Sequence, residues 1–336
     1  MKITPTWVGT FETGLRTLIS GSAQRIVKSL FWDKFVDIQK SDTLIERYFF
    51  PVEASRLRRE GQGGNKRFDD QTAATLVIAN ENYGDGLRLK KNEIEDNVMK
   101  DMPGMPALRF AESWARHTGA NVARWPQDEM FRLLAAGETT PGYDGVNFFS
   151  ASHPVDPTRS GSPVFANVLT GAPSGAYPGA CPIDTTNATT LDAAATNFAR
   201  AVAYIQSLRG PDGHPRHLKV THAMTGLLLQ KRILEILDTK YLTLNGIENV
   251  VSRYQIQPVV AAEIPADALY FYLWVEMIPG EGGGLIYQDR EGAVLSSYAA
   301  ESFPQLQLRK DFLWSMDGRD GMGFGHPWSV FLVKPT

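Results

Sequence analysis

A single cysteine, Cys181, in a chain of 336 residues excludes an intramolecular disulfide, and no Cys/His cluster with zinc spacing surrounds it. That usage fits a reducing cytoplasm. An excess of one charge is lacking as well. Lys and Arg total 34 against 37 Asp and Glu, a net charge of -3, so the chain is no polyelectrolyte built to grip nucleic acid, and any DNA contact is local and non-specific. Long apolar runs are missing too. Met1-Lys2-Ile3-Thr4-Pro5 leads into no signal-peptide core, Leu30-Phe31-Trp32 meets Asp33, Lys34 and Asp37 at once, and Ala268 to Met277 is too short to cross a bilayer. Neither a signal peptide nor a membrane role is expected.

Catalytic signatures are also scarce. There is no Walker lysine motif, no Gly-x-Ser-x-Gly elbow and no His-Glu-x-x-His pair. Gly321-Met322-Gly323-Phe324-Gly325 lacks the third glycine of a dinucleotide loop and leads to His326-Pro327 rather than to a helix. His214, His217 and His222 form the densest histidine group, and a metal-dependent hydrolase would need them to converge with a carboxylate such as Asp212. A polar turn with one half-buried strand histidine accounts for them more simply. Acid pairs such as Asp69 with Asp70, or Glu93 with Glu95 and Asp96, read as solvated surface. The expectation is a non-enzyme with no catalytic residues, cofactor or metal.

What the chain does have is an ordinary folded composition, 43% hydrophobic and 21% charged, at a length that allows about two domains. Phe11, Leu15, Leu18, Ser22, Ile26 and Leu30 space out a weak amphipathic helix, interrupted by Gly14 and Gly21, that either docks on its own core or reaches a second subunit. Arg47 to Val52 and Thr72 to Ala79 read as two strands of a long hairpin. Its tip carries Arg56, Arg58, Arg59, Lys66 and Arg67 among glycines, with Glu60 the only acid between Ser55 and Arg67. Such a hairpin needs a neighbouring surface to lie on. Helices are predicted over Ala107 to His117, stopped by Gly119, and from Pro126 to Gly137. Pro141 to Thr190 carries only four charges and no helical period, a length that calls for something external to order part of it. A striped helix capped by Thr189 or Thr190 follows, up to Leu208. Beyond it come strands at Leu218 to Met224, Gln257 to Ala262, Leu269 to Val275, Leu306 to Met316 and Trp328 to Val333, with a helix over Thr225 to Asp238. This order is not the steady alternation of a doubly wound sheet, so the predicted class is α+β.

One block is specific. Leu133-Leu134-Ala135-Ala136-Gly137 closes a helix, Tyr143-Asp144-Gly145-Val146-Asn147-Phe148-Phe149 follows, and His153-Pro154 comes shortly after. Gly137 suits a helix stop and Asp144-Gly145 a tight turn, with Phe148, Phe149 and Pro154 pinning the chain to a core and Asn147 placed to bond the turn's own backbone. The block resembles the major head subunit of Mu-like tailed phages, the gpT family. Ile78-Ala79-Asn80 before Asn92 to Asp96, and Leu218 to His222 before Thr225 to Asp238, resemble it less specifically. The resemblance implies the tailed-phage major capsid fold named after phage Hong Kong 97 (HK97-like). Its parts would be an N-terminal arm (1–45), an extended β-hairpin loop (46–92), a peripheral domain with spine helix and long loop (93–190), an axial domain (191–300), and C-terminal strands returning to the peripheral domain (301–336). It further implies a structural capsid protein of a tailed bacteriophage or Mu-like prophage, made in the cytoplasm of a bacterial host and residing in the virion. Copies of itself in hexamers and pentamers would be its main partners, with portal, scaffold and decoration proteins and non-specific contact with packaged double-stranded DNA. The basic tip would lie over a neighbouring subunit. An encapsulin-like shell of the same fold is the nearest alternative, and a tail or adhesion protein a further one. Residues 160–187 have no counterpart the resemblance can place.

Overall fold

Thr4 accepts a hydrogen bond from the Trp7 amide at 3.2 Å and Pro5 fills the first helical position, which starts helix α1 (Pro5–Val27). The structure, a computed structural model, describes residues 4–51, 73–92, 94, 106–170, 191–241, 248–277, 282–299, 307 and 309–334. Leu15 and Ile19 of α1 are buried against Ala111 and Ala115 of the long helix α2 (Pro106–Ala136). Where the two helices cross, a Cβ on Gly119 would stand 2.3 Å from the carbonyl oxygen of Ile19. The N-terminal helix therefore docks on its own chain.

Between the two helices come β1 (Asp37–Lys40), β2 (Ile45–Pro51), β3 (Ala73–Ala79) and β4 (Glu81–Lys90). After α2 follow β5 (His153–Pro154), β6 (Val164–Phe165), β7 (Val168–Leu169), α3 (Leu191–Ser207), β8 (Val220–Thr225), α4 (Gln230–Asp238), β9 (Gln257–Val260), β10 (Phe271–Val275), β11 (Leu285–Tyr298), β12 (Asp311–Phe324) and β13 (Val330–Val333). One sheet runs β1-β11-β12-β4 and carries α1 and the first half of α2 on a core built around Leu87, Phe312 and Trp314. The other runs β7-β13-β10-β8-β9, with α3 and α4 packed on it through Phe198, Ile205, Ile233 and Ile236. A third apolar cluster, holding Met130, Leu134, Phe148, Tyr272 and Phe324, joins the two sheets to the end of α2. The mixture of helices with two mixed sheets is the predicted α+β class.

The structure corrects several expectations. The two helices predicted on either side of Gly119 and Pro126 are one. Gly119 is there for the close approach of α1 rather than as a stop. The cost of an internal proline, about 3 kcal/mol, is outweighed because both halves of α2 bury a face, the first against α1 and the second, through Met130, Phe131 and Leu134, in the junction core. Helix α4 begins at Gln230 and not Thr225, because Thr225 still pairs with Phe271 in the sheet. Strand β11 has no counterpart among the predicted strands: Asp289, Arg290 and Glu291 interrupt its apolar pattern, and its register against β12 shifts there. The glycines that resemble a nucleotide loop belong to β12 and its end, where a Cβ on Gly321 would meet the Ala79 carbonyl oxygen at 2.7 Å, one on Gly323 would meet Ile78 at 2.4 Å and one on Gly325 would meet the Gly283 carbonyl oxygen at 2.1 Å. They are glycines because other segments of the chain lie directly against the strand. Of the two C-terminal strands, β12 joins β11 and β4, and the fully buried β13 sits between β7 and β10 in the other sheet.

Asp320 of β12 is buried, and its Oδ2 accepts hydrogen bonds from Trp125 of α2 (2.8 Å) and Tyr287 of β11 (2.9 Å). Burial, with the charges of Glu129 and Asp289 adding to it, pushes its carboxyl up to about 6 against the pull of those two hydrogen bonds. The folded protein thus holds this proton more tightly than the unfolded chain, so stability falls as pH rises from about 4 through about 6. Asp320→Asn removes that titration while keeping an acceptor oxygen. Thermal melts are expected to show the variant gaining on the parent between pH 4 and pH 7, and a constant difference would contradict the assignment.

Candidate functional site

Every residue of the Tyr-Asp-Gly-x-Asn-Phe-Phe block and its His-Pro lies within the described structure, and the fold gathers them at the junction of the two sheets. The end of α2 is closed by Gly137, where a Cβ would stand 2.5 Å from the Phe149 ring. The chain then reverses: the Phe149 amide donates to Gly137 O (2.8 Å), the Phe148 amide to Thr140 O (2.9 Å) and the Gly142 amide to Val146 O (2.7 Å). Gly145 turns the corner at φ +78°. The Asn147 side chain donates to Glu138 O at 2.8 Å, so it secures the end of the helix instead of the turn's own backbone. Gly145→Val places a β-branched residue in the left-handed region, at a cost of about 1–2 kcal/mol or more. A lower melting temperature and reduced soluble yield are expected, and an unchanged melt would remove the turn's conformational requirement.

The aromatic residues reach outward from this reversal to strands of three different pairings. Phe148 stacks on Phe324 of β12 at 4.2 Å, Phe149 lies 5.7 Å from Tyr272 of β10, and Tyr143 stacks on Phe50 of β2 at 4.2 Å. Burial pushes the Tyr143 phenol far up, and the adjacent Asp144 adds to the shift.

Beneath the aromatics lies a closed polar network. His153 is fully buried, with Nδ1 2.6 Å from Asp144 Oδ2 and Nε2 3.0 Å from the Phe148 carbonyl and 3.1 Å from Asn167 Oδ1. The Ser150 amide donates to that same Asn167 oxygen at 2.8 Å, which orients the amide. Asn167 Nδ2 then donates to Phe148 O (2.6 Å) and Pro327 O (3.1 Å). The atoms facing the imidazole are a carboxylate oxygen, a backbone carbonyl oxygen and an amide oxygen. Both ring nitrogens are consumed internally. The constellation fastens the chain after α2 to the segment before β13 and offers no reactive group to a substrate. Asn167 escaped sequence reading; the one signal for it is a polar residue inside the apolar run from Val164 to Leu169. The loop expected to need outside help is, through residue 170, ordered by these internal bonds and by the β5–β6 pair.

The other sequence candidates are scattered. Arg56, Arg58, Arg59, Lys66 and Arg67 lie outside the described residues, as do residues 171–190, the acid pair Asp69 and Asp70, and the side chains of Glu93, Glu95 and Asp96. The strands below the basic tip do form the expected antiparallel pair, Ile45 opposite Ala79 through Pro51 opposite Ala73. One face of this pair, with Phe50 and Ile78, packs on Ile286, while the other leaves Ile45, Phe49 and Val77 exposed, Phe49 at 68%. His214 and His217 are not buried, and His222 sits in β8 against Phe35 with its ring 5.1 Å away. Burial, helped by the charge of Lys34, holds the His222 imidazole below its ordinary range. Among the described residues, no three His, Cys, Asp or Glu side chains come together to hold a metal, and no helix is long and apolar enough to cross a membrane.

Comparison with known structures places this architecture among the tailed-phage capsid proteins. The capsid structure of cyanophage P-SCSP1u superposes with a TM-score of 0.56 over 91% of this chain and 88% of its own, at 9% identity. The bacteriophage JBD30 capsid gives 0.53 over 70% of this chain and 91% of its own, at 18% identity. The mature capsid of bacteriophage PhiM1 gives 0.52 over 91% and 87%, at 12% identity. The fold is the HK97-like capsid fold. Within it, the family model described as the Mu-like prophage major head subunit gpT matches residues 11–178, half of the chain, and the chain belongs to that family. The major capsid protein of Escherichia phage Mu is 31% identical over 99 residues, a stretch spanning 30% of this chain and 30% of that relative.

Proposed function

We propose that this chain is the major capsid protein of a tailed bacteriophage or Mu-like prophage, assembling as hexamers and pentamers into an icosahedral shell around double-stranded DNA, without catalytic activity of its own. Membership of the Mu-like head-subunit family carries this reading. In it, residues 1–45 serve as the arm, 46–92 as the extended loop, α2 as the spine of the peripheral domain and the α3/α4 region as the axial domain. Portal, scaffold and decoration proteins complete the partners, and the net charge of -3 suits loose enclosure of DNA. The apolar outer face of the β2–β3 pair supports the reading, because Ile45, Phe49 and Val77 are a surface that a neighbour's contact would remove from water. Electron microscopy of the purified protein tests it: closed shells or capsomer rings are expected, whereas particles of fixed low order, such as trimers, would refute it.

The basic tip supplies a second test. Arg56→Glu, Arg58→Glu and Arg59→Glu together are expected to leave the subunit folded, with an unchanged circular dichroism melt, yet to block particle formation. Normal particles from the triple variant would end the assignment of these residues to subunit contact.

A further inference from the structure

The turn Gly210-Pro211-Asp212-Gly213 and the excursion that leaves β5, the motif's His153-Pro154, and returns at β6 together enclose a groove of about 300 Å³ beside the junction. Its floor is apolar: Phe165 and Leu208 are buried at its base, and Val164 is 55% exposed along its side. Its rim is cationic. Arg159 stands on one wall and makes no ion pair with a described residue. Arg209 stands on the other, with Nη1 engaged on Gly213 O at 2.8 Å. A third guanidinium, that of Arg216, lies 3.7 Å from the centre of the Trp328 ring beside the same floor. One carboxylate, Asp156, also lines the groove, and its Oδ1 is held by its own turn, accepting from the Thr158 amide (2.9 Å) and hydroxyl (2.6 Å), while Asp212 Oδ1 in the opposite turn accepts from the His214 amide (3.0 Å), so the arginines outnumber the acid on the rim.

We propose that this groove is a docking site for an acidic peptide segment of a partner protein, one in which a carboxylate side chain neighbours an apolar one. Arg159 and Arg209 would grip the carboxylate through paired N–H donors, the geometry in which arginine outperforms a point charge. The neighbouring apolar side chain would settle on Leu208 and Val164. The floor decides the class of partner. Nucleic acid is held by phosphate contacts on polar ground or by bases stacked on open aromatic rings, and here the floor is aliphatic while Phe165 is only 6% exposed.

The test is calorimetric titration of the purified full-length subunit with a blocked peptide of alternating leucine and glutamate, its glutamine counterpart and a short duplex DNA. The glutamate peptide is expected to bind, the glutamine peptide to bind about tenfold or more weakly, and Arg159→Gln with Arg209→Gln to reduce binding of the glutamate peptide by at least a similar factor. Hydrogen exchange should slow at 155–164 and 207–213 when the glutamate peptide is added. Should loss of the Arg209 bond loosen its turn, Arg159→Gln alone carries the comparison. Equal binding of the two peptides, or indifference to the substitutions, would overturn the proposal. So would preferential binding of DNA through the same arginines, which would assign the groove to nucleic acid.

Discussion

His153→Ala is expected to lower the stability of the subunit by about 3–5 kcal/mol, because it leaves Oδ2 of the Asp144 carboxylate, 3% exposed, without its imidazole partner and the Phe148 carbonyl with Asn167 Nδ2 alone, and opens a cavity where the ring stood. Against a total of about 5–15 kcal/mol for an ordinary domain, this is enough to bring the protein close to unfolding at growth temperature. Urea unfolding of the parent, of His153→Ala, of Asp144→Ala and of the double variant gives the measurement. Removing both partners should cost less than the sum of the single losses, since neither then strands the other. If His153→Ala costs under about 1 kcal/mol, the network is not what fastens the two sheets together.

Gly119→Ala is the second large effect, and its sign separates local preference from packing. An alanine within a helix is worth up to about 1 kcal/mol over glycine, so propensity alone calls for stabilisation. The new Cβ, however, would fall 2.3 Å from the Ile19 carbonyl oxygen, a backbone atom that cannot swing aside. Helix α1 must lift away from α2, partly exposing Leu15 and Ile19, each worth about 1.5–3 kcal/mol when fully buried. Limited proteolysis should then cut first within residues 5–27. Gly14, in α1, is the control, since a Cβ added there would have nothing within 4 Å: Gly14→Ala should stabilise by about 0.5–1 kcal/mol. If Gly119→Ala also stabilises, the close crossing of the helices is not real.

The legible parts of this fold are those where a local sequence signal, a stripe or an apolar run, agrees with the final burial. The α3 stripe, the β2–β3 pair flanking the basic tip, and the strands at Phe271 and Val330 all carry a local pattern that their final burial repeats. Illegible were the places where one residue serves a distant neighbour. Gly119 and Pro126 carry the local marks of helix ends, and only α1 and the junction core keep the helix running through them. The charged centre of β11 hides a strand of 14 residues, because Gln288 and Asp289 find their places only once β12 lies alongside. The glycines at the end of β12 resemble a phosphate loop until Ile78 and Ala79 are seen to lie over Gly323 and Gly321. At the motif, the turn at Asp144-Gly145 and the pinning by Phe148 and Phe149 could be read from composition and order. The pairing of Asp144 with His153, nine residues apart, and their union with Asn167 could not, since no local rule brings these three side chains together.

Residue order by itself determined the α+β class, the amphipathic first helix, the tight turn at Gly145 and the family carried by the Tyr-Asp-Gly-x-Asn-Phe-Phe block, because each rests on interactions within a few residues or on a contiguous motif. The tertiary structure alone decided that α2 is continuous, that β12 and β13 belong to different sheets, that the buried His153 is a fastener, and that Arg159 and Arg209 face one groove. These depend on which surfaces meet, and the free energy of burying a surface is set by its partner and not by its neighbours in the chain.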